Sequence, residues 1–480
     1  MKIRITRVSA FSFRVLVSRI GSRQDVSLQN PEEISELSSP VPLEISMKTY
    51  LQSRCFFTRS DLLSSLRFVT APLLSSLVLL LPAISTPAVA ADRAHVLLGS
   101  MADFNNRTAN EDPTGVGNSR SPFLFGSAKF GANSAPFALA AGDFNGDEVL
   151  DLAVANYGGG ATVSVLLGNG DGTFQDPLSF ATAVSTRGVA TADLNGDGIL
   201  DLVTANNDCY PCNNGTVSVL LGNGDGTFQS HVDYPTGIGP TWVATGDFNG
   251  DGKVDLVVPE GNGGGGTTVG VLLGNGDGTF GRVAHYQAGI NPAYVMTADF
   301  SGDNKLDLAV VNNIGSVSIL LGQGDGSFGS PTDISVGSFS IGEAAGDFNH
   351  DGKMDLAVVS TTDNSVSVLL GNGDGTFQPP VQYATGIGPY GVIAADVNVD
   401  HNLDLVVTVP ATSGGIPGEG ATISVLLGKG DGTFHTHRDF CTGTGPAFLA
   451  TGHFAHGYRP DLAVTNYNQN SVSILLGNFF

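Results

Sequence analysis

The sequence predicts an all-β fold, a seven-bladed β-propeller of four-stranded antiparallel blades, closed by an N-terminal strand that completes the last blade. Three observations predict it. A nine-residue acidic loop, D-x-(N/S)-x-D-x-x-x-D, occurs six times between residues 143 and 404, each time followed by an apolar run such as LAV or LVV. A second motif, GNGDGTF, recurs at 168–174, 222–228, 274–280 and 371–377, with GQGDGSF at 322–328 and GKGDGTF at 428–434. The acidic loops, with a degenerate seventh copy at His453, start 50, 54, 52, 48, 49 and 57 residues apart. That period is the length of one four-stranded blade.

Within a repeat the elements follow in order. The third copy reads TWVATG (241–246), the acidic loop, LVVP (256–259), a Gly-rich loop, TVGVLLG (268–274), the turn NGDG (275–278) and TFGRVAHY (279–286). Alternating Val, Ala, Leu and Ile predict strands half buried on each face. Asn-Gly and Asp-Gly steps tolerate positive φ and so make hairpin turns. A linear array of hairpins would leave two open edges, whereas the chain ends suit a ring. The last unit finishes with a third-strand segment, SVSILLG (471–477), and PFLFGSAKF (122–130) matches the fourth-strand pattern of TFQDPLSF (173–180). HVLLGS (95–100) resembles a stray third strand without a place in the ring.

The acidic loops have the donor spacing of a calcium cage. Side-chain oxygens at positions 1, 3, 5 and 9, with a backbone carbonyl from position 7, suit a hard cation that takes 6–8 oxygens at roughly 2.3–2.6 Å. The ligand candidates are Asp143, Asn145, Asp147 and Asp151 in the first loop, and Asp193, Asn195, Asp197 and Asp201 in the second. Asp247, Asn249, Asp251 and Asp255 follow in the third, and Asp299, Ser301, Asp303 and Asp307 in the fourth. The fifth loop supplies Asp347, Asn349, Asp351 and Asp355, and the sixth Asp396, Asn398, Asp400 and Asp404. An EF-hand would add a Glu at position 12 between two helices; here position 12 falls in a β-branched run, so the loops join strands. Up to six Ca2+ ions are expected. Position 6 calls for positive φ, which Gly198, Gly252 and Gly352 provide, Asn304 approximates, and Glu148 and His401 serve poorly. The expected order of affinity is second and third, then fifth, fourth, and last first and sixth, with no ion at the seventh loop, which keeps only Asp461.

Composition divides the chain. The first 90 residues hold ten Lys/Arg and six Asp/Glu, which leaves 12 basic and 39 acidic residues in 91–480, a formal charge of −27. No basic stripe survives there, which argues against nucleic-acid binding through phosphates. Residues 68–84 (FVTAPLLSSLVLLLPAI) after Arg67, with Ala88-Val89-Ala90 before Ala91, read as a secretory signal peptide rather than a membrane anchor. Residues 1–90 are thus a leader, Met47 is an alternative start, 91–120 form a linker and 121–480 the propeller. The mature chain is expected to be secreted or at the cell surface, the periplasm included, with no membrane span. Cys209 and Cys212 form CYPC in a polar loop, read as a local disulfide with free thiols or metal and redox chemistry as alternatives, while Cys441 stands alone.

The DFNGDG and LLGNGDGTF motifs resemble FG-GAP/VCBS repeats, which build the integrin α-chain propeller and many exported bacterial proteins. The resemblance covers about residues 121–480. It implies that each acidic loop joins strands 1 and 2 and binds calcium on the bottom face. The 2–3 and 4–1 connections then lie on top, where the 2–3 loops vary most: NYGGGAT (156–162), NNDCYPCNNG (206–215), EGNGGGGTT (260–268) and PATSGGIPGEGAT (410–422). One large residue per unit, Phe137, Arg187, Trp242, Tyr294, Ile341, Tyr390 and Phe448, precedes each first strand and is expected around the channel mouth. Such residues either contact a ligand or plug the channel. His435, His437, His453 and His456 straddle different segments and read as surface residues. No nucleophile elbow, HExxH or phosphate loop is present, so the chain is expected to be a calcium-binding adhesion or recognition protein for glycans or surface proteins, not an enzyme. A calcium-dependent polysaccharide lyase or hydrolase and a structural module of a larger surface assembly are the alternatives.

Overall fold

Each blade is an antiparallel sheet whose four strands follow one another in the chain, so every hairpin is local and only the ring closure is long-range. The computed structural model describes residues 128–477 except 159–160, 208–214, 262–264 and 411–421. Blade 1 is Pro136–Gly142, Asp151–Asn156, Thr162–Leu166 and Leu178–Ala181, and blades 2 to 6 repeat this order. Blade 7 takes three strands from the end of the propeller, Pro446–Gly452, Asp461–Asn466 and Ser471–Leu475, and its fourth, Ala128–Gly131, from the beginning. Phe130 pairs with Val472 there as Phe180 pairs with Val163 in blade 1, so the borrowed strand keeps the register of the others. First strands of successive blades touch all the way round, blade 7 against blade 1.

Burial departs from the half-buried strands that alternation predicts. The second strand of every blade is buried along its whole length, because neighbouring blades cover both faces. Third strands are nearly as buried. The outer fourth strand is largely exposed, and it is short: Ala284–Gln287 in blade 3, starting well after Phe280. Phe280 instead forms a lone bridge with Gly274 that closes the turn, as its equivalents do in the other five copies.

That phenylalanine is the key to blade packing. Phe228, from the turn of blade 2, sits edge-on to Phe144 of the blade 1 acidic loop at 5.6 Å and to Phe180 of the blade 1 outer strand at 5.3 Å. Phe328 repeats the pattern against Phe248 and Tyr286, and Phe434 against Phe348 and Tyr383. Across the closure Phe174 meets Phe454 at 5.9 Å and Phe130 at 5.2 Å. The last glycine of each GDG turn donates to the loop carbonyl of the preceding blade: Gly226 N to Phe144 O is 2.9 Å and Gly172 N to Phe454 O is 2.8 Å. Gly226 has φ +81°, and a Cβ there would lie 2.7 Å from Leu167 of blade 1, so both torsion and contact demand glycine.

No helix among the described residues is long and apolar enough to cross a membrane. Cys209 and Cys212 lie outside the described residues, as do the leader, the linker and the segment 95–100. Cys441, which stands apart in the sequence, is disulfide-bonded. Replacing Phe228 with Ala removes a buried ring shared by two blades and is expected to cost about 3–5 kcal/mol, the usual range for such truncations. Urea unfolding measures it, and a loss below about 1 kcal/mol would mean that the blades are held together elsewhere.

Candidate calcium loops and channel mouth

The ninth residue of every acidic loop is also the first residue of the second strand, and this placement buries it. Asp151, Asp201, Asp255, Asp307, Asp355 and Asp404 are fully shielded from solvent, and Asp461 of blade 7 nearly so. One carboxylate oxygen accepts the amide of loop position 2, as from Phe144 N to Asp151 at 2.9 Å and Phe248 N to Asp255 at 2.9 Å. The other accepts the glycine amide that opens the GNGDG turn, as from Gly168 N at 2.7 Å and Gly274 N at 2.7 Å. Each aspartate therefore ties the 1–2 loop to the 3–4 turn. Burial raises Asp151 and Asp404 to about 6, the two backbone amides oppose the rise, and neighbouring loop aspartates add to it.

Positions 1, 3 and 5 lie on the exposed side of the same loop. Asp193 collects the amides of Gly196 at 2.7 Å and Asp197 at 3.1 Å on one oxygen and that of Gly198 at 2.8 Å on the other. Asn195 bridges to Asp197 through its side-chain amide at 3.0 Å. Among the described residues no group of three or more His, Cys, Asp or Glu is drawn together as a metal-binding set; position 9 faces the backbone amides, and the third donor of a loop is an amide or hydroxyl. The donors are all hard oxygens and fit calcium rather than a softer metal.

Backbone torsions separate the six loops. Position 6 has positive φ in every copy, Glu148 at 66° and His401 at 71° included. Position 4 makes the same demand, which the sequence reading missed although four of six copies carry Gly there. His350 and Val399 take it with φ 59° and 62°, and β-branched Val399 is the more strained. Lys253, Lys305 and Lys353 at position 7 approach the position 5 carboxylate at 3.5, 3.0 and 3.9 Å, a local competitor for a cation. The second loop alone combines Gly at positions 4 and 6, Asn at 3 and no such lysine. In blade 7, positions 1, 3 and 5 are His453, Ala455 and Gly457, yet Phe454 still packs on Phe174 and Asp461 still accepts two amides, from Ala455 and Gly477. The clasp survives where the other donors are gone.

At the other end of the channel, all seven large residues line one cavity of about 250 Å³ with Thr241, Ala293, Asn313 and Phe339. They occupy two successive positions. Trp242, Tyr294 and Phe448 stand beside Thr241, Ala293 and Ala447, whereas Phe137, Arg187, Ile341 and Tyr390 stand before Ala138, Gly188, Gly342 and Gly391. One large and one small residue per blade is a packing rule: a Cβ on Gly188 would lie 2.8 Å from the Trp242 backbone. The rings meet across the channel, Trp242 with Phe448 at 4.8 Å and Phe137 with Tyr390 at 5.7 Å, while Trp242 stacks on neighbouring Tyr294 at 4.2 Å. They form the floor of the cavity, so the aromatic residues both plug the channel and line its mouth. Exposed apolar side chains surround it on the 4–1 and 2–3 turns: Val184, Ile238, Ile290, Ile314, Phe339 and Ile387. The four clustered histidines do not form a shared site; His437 pairs with Asp439 at 2.8 Å on the outer strand of blade 6.

Asp461→Asn replaces one acceptor oxygen of a buried clasp with a donor facing an amide N–H, at an expected cost of about 1.5–3 kcal/mol. Because blade 7 lacks the other donors, the loss is expected to be equal with calcium and with chelator in denaturant titrations. A loss that vanishes in chelator would show the aspartate acting through an ion.

A model of the FG-GAP-like repeat matches residues 143–204, 206–258, 299–358 and 347–407. No curated protein matches the chain. Among solved structures, the chain is similar in fold to BBS1N, solved in complex with ARL6DN, at 12% identity over 75% of this chain and 99% of that one, with a TM-score of 0.50. It is similar also to hydrazine synthase of Kuenenia stuttgartiensis, at 14% identity over 78% and 100% of the two chains, TM-score 0.50. With these repeats set in a closed ring of seven blades, the chain is an FG-GAP-repeat β-propeller protein.

Proposed function

We propose that the protein is an exported, calcium-stapled recognition module, with its ions on the bottom face and its glycan or surface-protein ligand on the top. The observation that carries this is the segregation of chemistry between the two faces: hard oxygen donors gather in the 1–2 loops, and an aromatic cavity with an apolar rim occupies the opposite end of the channel. Blade 7 supports a cation role for positions 1, 3 and 5, since the fold manages there without them. Carboxylates crowded in one turn repel one another, and a divalent ion relieves that repulsion. Extracellular calcium is abundant enough for weak sites of ~10⁻⁴–10⁻³ M, which agrees with the signal-like segment 68–91. A recognition module needs no catalytic group, and the described residues of the cavity wall are aromatic and apolar side chains with Arg187, Thr241 and Asn313.

The torsions and lysines refine the order of the sites. The second loop binds most tightly, then the third, then the fourth and fifth, where Ser301 or His350 intervenes, then the first; the sixth is weakest because Val399 and His401 are both strained.

Chelation with EGTA is expected to lower the melting temperature reversibly, since a ligand at about 100 Kd stabilises by ~2.7 kcal/mol per site. Calorimetric titration should find no more than six ions, and Asp197→Asn should remove the tightest. An unchanged melting temperature in EGTA would overturn the calcium assignment. For the top face, an array of glycans and surface proteins should report binding that Trp242→Ala abolishes; an array without any binding would overturn the recognition role.

A further inference from the structure

Two residues of the channel mouth depart from their counterparts in the other blades. Two or three residues ahead of the large channel side chain the backbone is left-handed in every blade: Ala135, Ser185, Gly239, Asn291, Phe339, Gly388 and Gly445 have φ between 53° and 71°. Glycine, asparagine or a small side chain fills it in six blades. Blade 5 puts a phenylalanine there, in a conformation that bulky residues avoid. Phe339 is 49% exposed, lies on the cavity wall and makes no ring contact with another aromatic among the described residues. Strain and exposure both oppose the free protein, and strained residues of this kind cluster at ligand sites.

Arg187 is the second. It is the only cation among the described residues of the cavity wall, in a region of the chain with a formal charge of −27. Its guanidinium lies over Tyr157 at 4.5 Å and Phe137 at 5.3 Å, and it forms no ion pair among the described residues. Its Nε–H is buried without a hydrogen-bond partner. On the same wall the side-chain carbonyl of Asn313 is buried and equally unpartnered. The cavity thus offers a fixed planar cation that lacks an acceptor, an acceptor that lacks a donor, and an exposed ring.

We propose that the mouth binds a hexuronic acid unit of an acidic polysaccharide, its carboxylate on Arg187, a hydroxyl donating to Asn313 and its C–H face against Phe339. One such ring carries all three features, whereas an acidic peptide side chain brings its carboxylate without the hydroxyls. A cavity of about 250 Å³ suits a single ring, with the remainder of the polysaccharide lying over the apolar rim. The assignment rests on the top face being the recognition face.

Titration calorimetry with trigalacturonate and with its methyl ester, which keeps the shape and loses the charge, provides the test. The acid is expected to bind, and the ester to bind about tenfold or more weakly, the loss of a charge-assisted contact. Arg187→Gln should cause a similar loss, Arg187→Lys a smaller one, with melting temperatures recorded to show that both fold. Phe339→Gly should weaken binding several-fold while raising the melting temperature, because it relieves the left-handed strain. Equal binding of acid and ester, indifference to Arg187→Gln, or no binding of either overturns the proposal. The recognition role of the face stands or falls separately, on the array and Trp242→Ala. Tighter binding of polyaspartate than of trigalacturonate, lost in Arg187→Gln, overturns the sugar in favour of an acidic peptide.

Discussion

Every blade depends on one buried carboxylate. The aspartate at the start of each second strand accepts two backbone amides, one from the 1–2 loop and one from the 3–4 turn, at distances such as 2.8 and 2.7 Å for Asp201. Both amides would otherwise be orphaned in the interior, since loop and turn at that end have no strand neighbour to accept them. A charged acceptor makes stronger bonds than a carbonyl would, and two such bonds offset the cost of burying it. The clasp sets the depth at which the loop enters the blade, and so places the position 2 side chain, Phe144 or its equivalents, over the turn of the next blade. The hydrogen bond from Gly226 to Phe144 and the edge-on ring contact with Phe228 follow from that placement. Intrablade order and interblade packing are therefore one device.

The calcium we propose is a further layer on this device. The side chains of positions 2 and 9 serve the fold in every blade; those of positions 1, 3 and 5 are dispensable to it, because in blade 7 Phe454 still packs on Phe174 and Asp461 still accepts two amides, from Ala455 and Gly477, around His453, Ala455 and Gly457. The acidic loop superimposes a structural clasp and a set of hard oxygen donors in nine residues. Position 9 could be recognised as repeated from spacing alone, but its turn toward two amides could not, since one of them lies outside the loop: Gly168 is 17 residues beyond Asp151.

The channel mouth follows a different constraint. Seven first strands crowd one axis, so each blade can place one large side chain there only if its neighbour position is small. Gly188, Gly342 and Gly391 meet this condition by leaving room for the backbone or side chain of the next blade. The sequence shows one large residue per repeat, and the structure shows them meeting across the axis as a floor rather than an open pore. Phe339 and Asn313 went unnoticed in the sequence. The signal was present for Phe339, as a break in the run of Gly, Asn and small residues before each first strand, but it becomes visible only when the seven turns are aligned by their torsions.

The sequence by itself determined the ring of seven blades, the strand order within a blade, the strand that closes it and the loops with oxygen donors. These depend on short-range patterns repeated at a fixed period, and each repeat is an independent statement of the same local physics. Only the tertiary structure decided which repeated residues serve the fold and which are left over. That choice depends on burial and on partners from other blades: Asp151 is enclosed by amides while Asp147 remains in solvent, Phe228 is shared between two blades, and Arg187 reaches the axis with its Nε–H unpaired. A repeat specifies its own hairpins, but what its side chains touch is set by the neighbour that the ring brings against it.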